Sequence, residues 1–127
     1  MGKEIITIKG APAPIGPYSQ GVKINGMLFL SGQIAIDPQT GELNTGNVES
    51  QTHRVMQNIQ ALLKEAGMNW ENVIKASIFI SDMNNFAQIN EVYASYFSSD
   101  FPARETVEVS RLPKDVDVEI SIIASEL

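Results

Sequence analysis

Only two stretches of this 127-residue chain repeat apolar residues at helical spacing, whereas six read as strands, and that imbalance constrains the fold more than any motif does. Two helices can cover one face of a sheet that size and leave the other face without a layer of its own. The first helix opens after Asn47, with Val48, Thr52, Val55, Met56, Ile59, Leu62, Leu63 and Ala66 recurring at three and four. Gly67 then stands where a helix C-terminus takes a left-handed residue. Asp82 or Asn84 caps the second helix, whose apolar positions are Phe86, Ile89, Val92 or Tyr93, Tyr96 and Phe97, up to Ser98.

The strand-like runs follow the period of two. Residues 3–9 form a first strand, closed by Gly10 and by Pro12 and Pro14, which cannot donate to a ladder. Residues 21–24 and 27–36 form a hairpin about Asn25-Gly26, because both central residues of the tight turn need positive φ. In its second arm Leu28, Leu30, Ile34 and Ile36 share one face, and Gly32 admits a close approach. Residues 73–81 place Ile74, Ala76, Ile78 and Ile80 opposite Ser77, Phe79 and Ser81. Residues 104–111 and 116–124 close the order β-β-β-α-β-α-β-β, an α+β fold with a six-stranded mixed sheet and two helices on one face, in one domain spanning residues 1–127. The uncovered face is expected to mix Phe29, Phe79 and Ile123 with Ser31, Arg104, Thr106 and Glu119. Further copies of the chain are expected to cover it.

The last two strands carry the first chemical signal. Val107 and Val109 point one way and Arg104, Thr106 and Glu108 the other; Val116, Val118, Ile120 and Ile122 alternate with Asp117, Glu119 and Ser121. Arg104 and Glu119 are therefore expected on one face. An arginine grips a carboxylate through two parallel N–H bonds, and a glutamate beside it orders or deprotonates a water. Taken alone, the pair reads equally well as a surface ion pair.

Composition removes several classes of function. A net charge of −6, with the nine Lys and Arg residues scattered singly, disfavours nucleic acid and anionic membrane surfaces as partners. Absence of cysteine excludes disulfides and thiolate nucleophiles. His53 is the single histidine and no ligand spacing accompanies it, so no metal site is expected. No apolar run approaches the ~18 residues of a membrane span, and a cytoplasmic location is expected.

Four blocks then resemble the RidA/YjgF family, the reactive-intermediate (imine) deaminases. They are Ala13-Pro14-Ile15-Gly16-Pro17-Tyr18-Ser19-Gln20, Leu30-Ser31-Gly32-Gln33-Ile34, Phe86-Ala87-Gln88-Ile89-Asn90-Glu91-Val92-Tyr93, and Pro102-Ala103-Arg104 continued by Leu112-Pro113-Lys114-Asp115-Val116-Asp117-Val118-Glu119-Ile120. The resemblance implies a chorismate-mutase-like fold built as a homotrimeric barrel with clefts between subunits. It implies cofactor-free hydrolysis of 2-aminoacrylate and 2-aminocrotonate, or their imine tautomers, to 2-oxo acids and ammonia. It also implies roles: Arg104 binds the substrate carboxylate, Glu119 holds the attacking water, and Tyr18, Ser31, Gly32 and Asn90 line the cleft. Thr106 stands where many members have cysteine, which leaves a backbone carbonyl but no thiol. Glu105 beside the arginine departs from the pattern too and is expected on the opposite face. The alternatives are a non-catalytic module that binds small carboxylates, and a ribonuclease or translation inhibitor.

Overall fold

The computed structural model describes residues 2–127. Its strands are β1 (Glu4–Ile6), β2 (Gly21–Ile24), β3 (Met27–Leu30), β4 (Val73–Ile80), β5 (Ala103–Glu108) and β6 (Val118–Ser125), with helices α1 (Val48–Glu65) and α2 (Phe86–Ala94). They form one sheet in the order β1-β2-β3-β6-β4-β5. Only the β4–β5 pair is parallel, and α2 is the crossover that this pairing demands. The expected α+β fold with a six-stranded mixed sheet is thus present.

Each helix begins and ends for a visible reason. The Asn47 side chain accepts from the Ser50 amide at 2.8 Å, and Gly67 adopts φ +75° just beyond the C-cap Ala66. Asp82 caps a short 3₁₀ turn, residues 83–85, before α2 starts at Phe86. Val55, Met56, Ile59, Leu62 and Leu63 of α1 are completely buried. Each contributes about 1.5–3 kcal/mol by leaving water. They meet Leu28, Ala76, Ile78, Val118, Ile120 and Ala124 of the sheet in a single core, so both helices serve one sheet face.

Two bulges change the alternation expected from sequence. β3 pairs with β6 as Leu28↔Ala124 and Phe29↔Ile123, but the next bridge is Gln33↔Ile120, one residue out of register. Gly32 marks this bulge, where the chain leaves the ladder after Leu30 and rejoins it at Gln33. Beyond it the faces exchange: Gln33 and Ala35 are buried, while Ile34 and Ile36 are only partly so. A second irregularity between Val73 and Lys75 buries Val73 and leaves Ile74 47% exposed.

The expectation that Arg104 and Glu119 share a face is overturned by strand register. Arg104 lies beside Ala76, which lies beside Ile122, all on the helix side of the sheet. Thr106 follows with Ile78 and Ile120. Glu119 instead pairs with Phe79, which pairs with Val107, on the face without helices. Val107 misled the reading because that open face is itself apolar: Ile5, Phe29 and Val107 are 49%, 43% and 40% exposed on it. An apolar residue on edge strand β5 therefore does not mark the core side.

Candidate functional site

Four of the seven residues singled out from sequence meet at one cavity. Tyr18, Ser31, Gly32 and Glu119 line a cleft of about 510 Å³, together with Gln20, Gln33, Pro113 and Lys114. The proline-restricted loop before β2 brings Tyr18 there, its amide donating to the Gly16 carbonyl at 3.0 Å with Gly16 at φ +116°. Tyr18 is 57% exposed, open to an incoming molecule. Ser31 fastens this loop to the bulge: its hydroxyl donates to the Ser19 carbonyl at 2.6 Å and its amide to the Gln20 carbonyl at 2.9 Å. With its hydroxyl proton committed there, Ser31 shapes the cleft.

Gly32 makes room for the carboxylate. A Cβ built on it would fall inside the Glu119 side chain, so the bulge needs glycine for close approach and not for its backbone angle. Glu119 accepts no hydrogen bond among the described residues, and its partial burial raises its carboxyl above the usual glutamate value of 4.5. A carboxylate with a raised affinity for protons, set at the wall of a cleft, can take a proton from a water and return it. Lys114 reaches the same cleft from a loop in which both it and Asp115 have positive φ, +57° and +56°. Nothing in the composition signals that conformation, and the sequence reading gave Lys114 no role.

The other three residues gather elsewhere. Arg104 Nη1 donates to Asn90 Oδ1 at 2.5 Å, and the guanidinium carbon lies 5.6 Å from the Phe86 ring centre and 5.2 Å from that of Tyr93. Burial pushes the Tyr93 phenol up to about 12, against the opposing pull of the Arg104 charge. Thr106, one step along β5 on the same face, keeps a buried hydroxyl oxygen with no protein partner. Phe86 and Tyr93 were read from sequence as core positions only; their spacing of four and three about Asn90 places all three on one helix face.

Glu105 points to the open face, where its carboxylate accepts from Ser77 at 2.5 Å and pairs with Lys75 at 3.1 Å. These contacts lower its pKa, the Ser77 hydrogen bond most. It lies away from Arg104, as alternation indicated. The chain thus presents two separate clusters on opposite faces of one sheet: a cleft with the Glu119 carboxylate at its wall, and Arg104 held between Phe86, Asn90 and Tyr93.

Comparisons with known proteins agree with this architecture. The profile of the family described as endoribonuclease L-PSP matches residues 8–126. A RutC family protein of Pyrococcus abyssi is 52% identical over 124 residues, covering 98% of each chain. The solved structure of YyfA from Yersinia pestis, of the conserved Rid protein family, is 49% identical with a TM-score of 0.94, covering 98% of this chain and 100% of its own. That of E. coli TdcF with bound serine is 44% identical with a TM-score of 0.91, covering 98% and 99%. Fold, coverage and identity all lead to one assignment: the chain belongs to the RidA/YjgF family, within the endoribonuclease L-PSP group.

Proposed function

We propose that this protein is a cofactor-independent deaminase that hydrolyses 2-iminopropanoate and 2-iminobutanoate, the tautomers of 2-aminoacrylate and 2-aminocrotonate, to 2-oxo acids and ammonia. Membership of the Rid group supports a reactive-intermediate deaminase role in general. The observation that carries the finer reading is the split site: the arginine that would hold a carboxylate and the glutamate that would activate water occupy opposite faces of one sheet. A homotrimer in which Arg104, Asn90 and Thr106 of one copy meet Tyr18, Ser31, Gly32 and Glu119 of the next completes the site and covers the exposed Phe29 and Val107. The TdcF structure, with serine bound, supports a small amino-acid-like ligand.

The chemistry asks little of the protein. An imine carbon is already electrophilic, so capture and orientation lower most of the barrier. Arg104 holds the substrate carboxylate. Water adds to C2 as Glu119 takes its proton, and that proton passes to nitrogen. The hydroxyl proton of the carbinolamine then passes through Glu119 to nitrogen as the C–N bond breaks and the C=O bond forms, giving the 2-oxo acid and ammonia. Fifteen Asp and Glu against nine Lys and Arg count against RNA as the substrate.

The test is imine hydrolysis coupled to an amino-acid dehydratase, wild type beside Arg104→Ala. Faster loss of the imine, abolished in the variant, is the expected result; equal rates for the two proteins would sink the mechanism. Binding of 2-oxobutanoate without turnover would identify a carboxylate-binding module instead.

A further inference from the structure

The aromatic and amide groups around Arg104 are more elaborate than a surface arginine requires. Phe86, Asn90 and Tyr93 stand at positions i, i+4 and i+7 of α2 and so form one stripe facing β5. Two rings meet the guanidinium, at 5.6 and 5.2 Å, and the Asn90 carbonyl takes one N–H of Nη1 at 2.5 Å. Tyr93 is only 3% exposed and Phe86 packs half-buried against the same core, so both rings are held by the packing around them. Arg104 itself is exposed. No other protein acceptor among the described residues engages it, which leaves the Nε and Nη2 edge, a pair of donors matched to the two oxygens of a carboxylate.

We propose that Phe86, Asn90 and Tyr93 are positioning residues that lock the Arg104 guanidinium in one orientation; this rests on Arg104 being the carboxylate anchor of the proposed reaction. An unrestrained arginine would give up side-chain entropy each time it bound a ligand. Here folding has already removed that freedom. The rings hold the plane of the fork and Asn90 fixes its rotation, so the free edge is presented ready for two parallel bonds. The cage also explains why a lysine would not serve, since a point charge on a flexible stem gains nothing from a plane.

The test compares Phe86→Leu, Phe86→Tyr and Asn90→Ala, each in the wild-type and Arg104→Lys backgrounds, by imine kcat/KM and by 2-oxobutanoate affinity. Phe86→Leu and Asn90→Ala should each lower kcat/KM about tenfold, mainly through KM, with Phe86→Tyr retaining most of it. In the Arg104→Lys background, which keeps the charge and loses the planar fork, the same substitutions should change little further. A Phe86→Leu enzyme as efficient as wild type overturns the proposal, and so does an equal loss in both backgrounds, which would mean a merely structural role. The Arg104 Nε–Hε resonance gives a readout independent of catalysis: ring currents should displace it in the wild type and less so in Phe86→Leu, which keeps only the Tyr93 ring. An unmoved resonance overturns the cage itself. A displaced resonance in a protein that neither binds 2-oxobutanoate nor hydrolyses the imine would overturn the carboxylate reading while the cage stands.

Discussion

The Glu119 carboxylate occupies the space that any side chain on Gly32 would need. The bulge at Gly32 is thereby coupled to the orientation of the group assigned to water activation. Gly32→Ala should force Glu119 out of the cleft wall and lower kcat/KM at least tenfold. Strand β3 ends before the bulge, so the cost in stability should stay within about 1–2 kcal/mol. Thermal unfolding measured beside the imine assay separates the two effects; a Gly32→Ala protein with full activity would show that Glu119 does not need its present position.

Glu119 also predicts a pH dependence. Its folded-state affinity for protons is raised by burial. The folded state therefore holds this proton more tightly than the unfolded chain, and stability falls as pH rises from the usual glutamate value of 4.5 through the raised folded value, then levels off. Glu119→Gln should thus gain in relative Tm over that window, measured at a series of pH values. The acid limb of wild-type kcat/KM should lie above the ordinary glutamate range. A limb at or below 4.5 would separate Glu119 from the proton transfer.

A site divided between two copies can be rebuilt from two broken parents. Arg104→Ala and Glu119→Gln should each be nearly inactive alone. Co-expressed and randomly assembled as cyclic trimers, they should recover about a quarter of wild-type activity, because each mixed trimer holds one intact site in three. Light scattering on the same samples checks the assembly. Recovery no greater than the sum of the parents would place both residues of each working site in one copy.

Lys114 holds a left-handed conformation (φ +57°, ψ +22°) that disfavours any side chain with a Cβ. Lys114→Gly should therefore stabilise the fold by about 1 kcal/mol, raising Tm by a few degrees. Asp115 is the less clean position, since it also pairs with Arg111 at 2.7 Å. Calorimetry that finds Lys114→Gly less stable than wild type would mean that the lysine side chain holds the loop through contacts that outweigh the strain.

Local rules written in neighbouring residues recovered much of this protein. Asn47 and Gly67 mark the ends of α1, Asn25-Gly26 marks the hairpin, and the two helical stripes foretold a sheet covered on one side only. These signals are legible because capping, tight turns and helical periodicity depend on residues within a turn or two of one another. Gly32 was legible as a place of close approach, though not what approached it.

The separation of Arg104 from Glu119 was not legible, and the reason is the same at each point. Alternation reports which residues of one strand share a face, but the face is assigned by register against other strands, a long-range property. The bulge at Gly32 reversed the sides of Ile34 and Ala35, and the one beside Lys75 turned Ile74 outward. The pairing of Arg104 with Ala76, and of Glu119 with Phe79, then set arginine and glutamate on opposite faces. Val107 and Phe79 gave no warning, because a sheet face that lacks helices and is itself apolar looks, residue by residue, like a core.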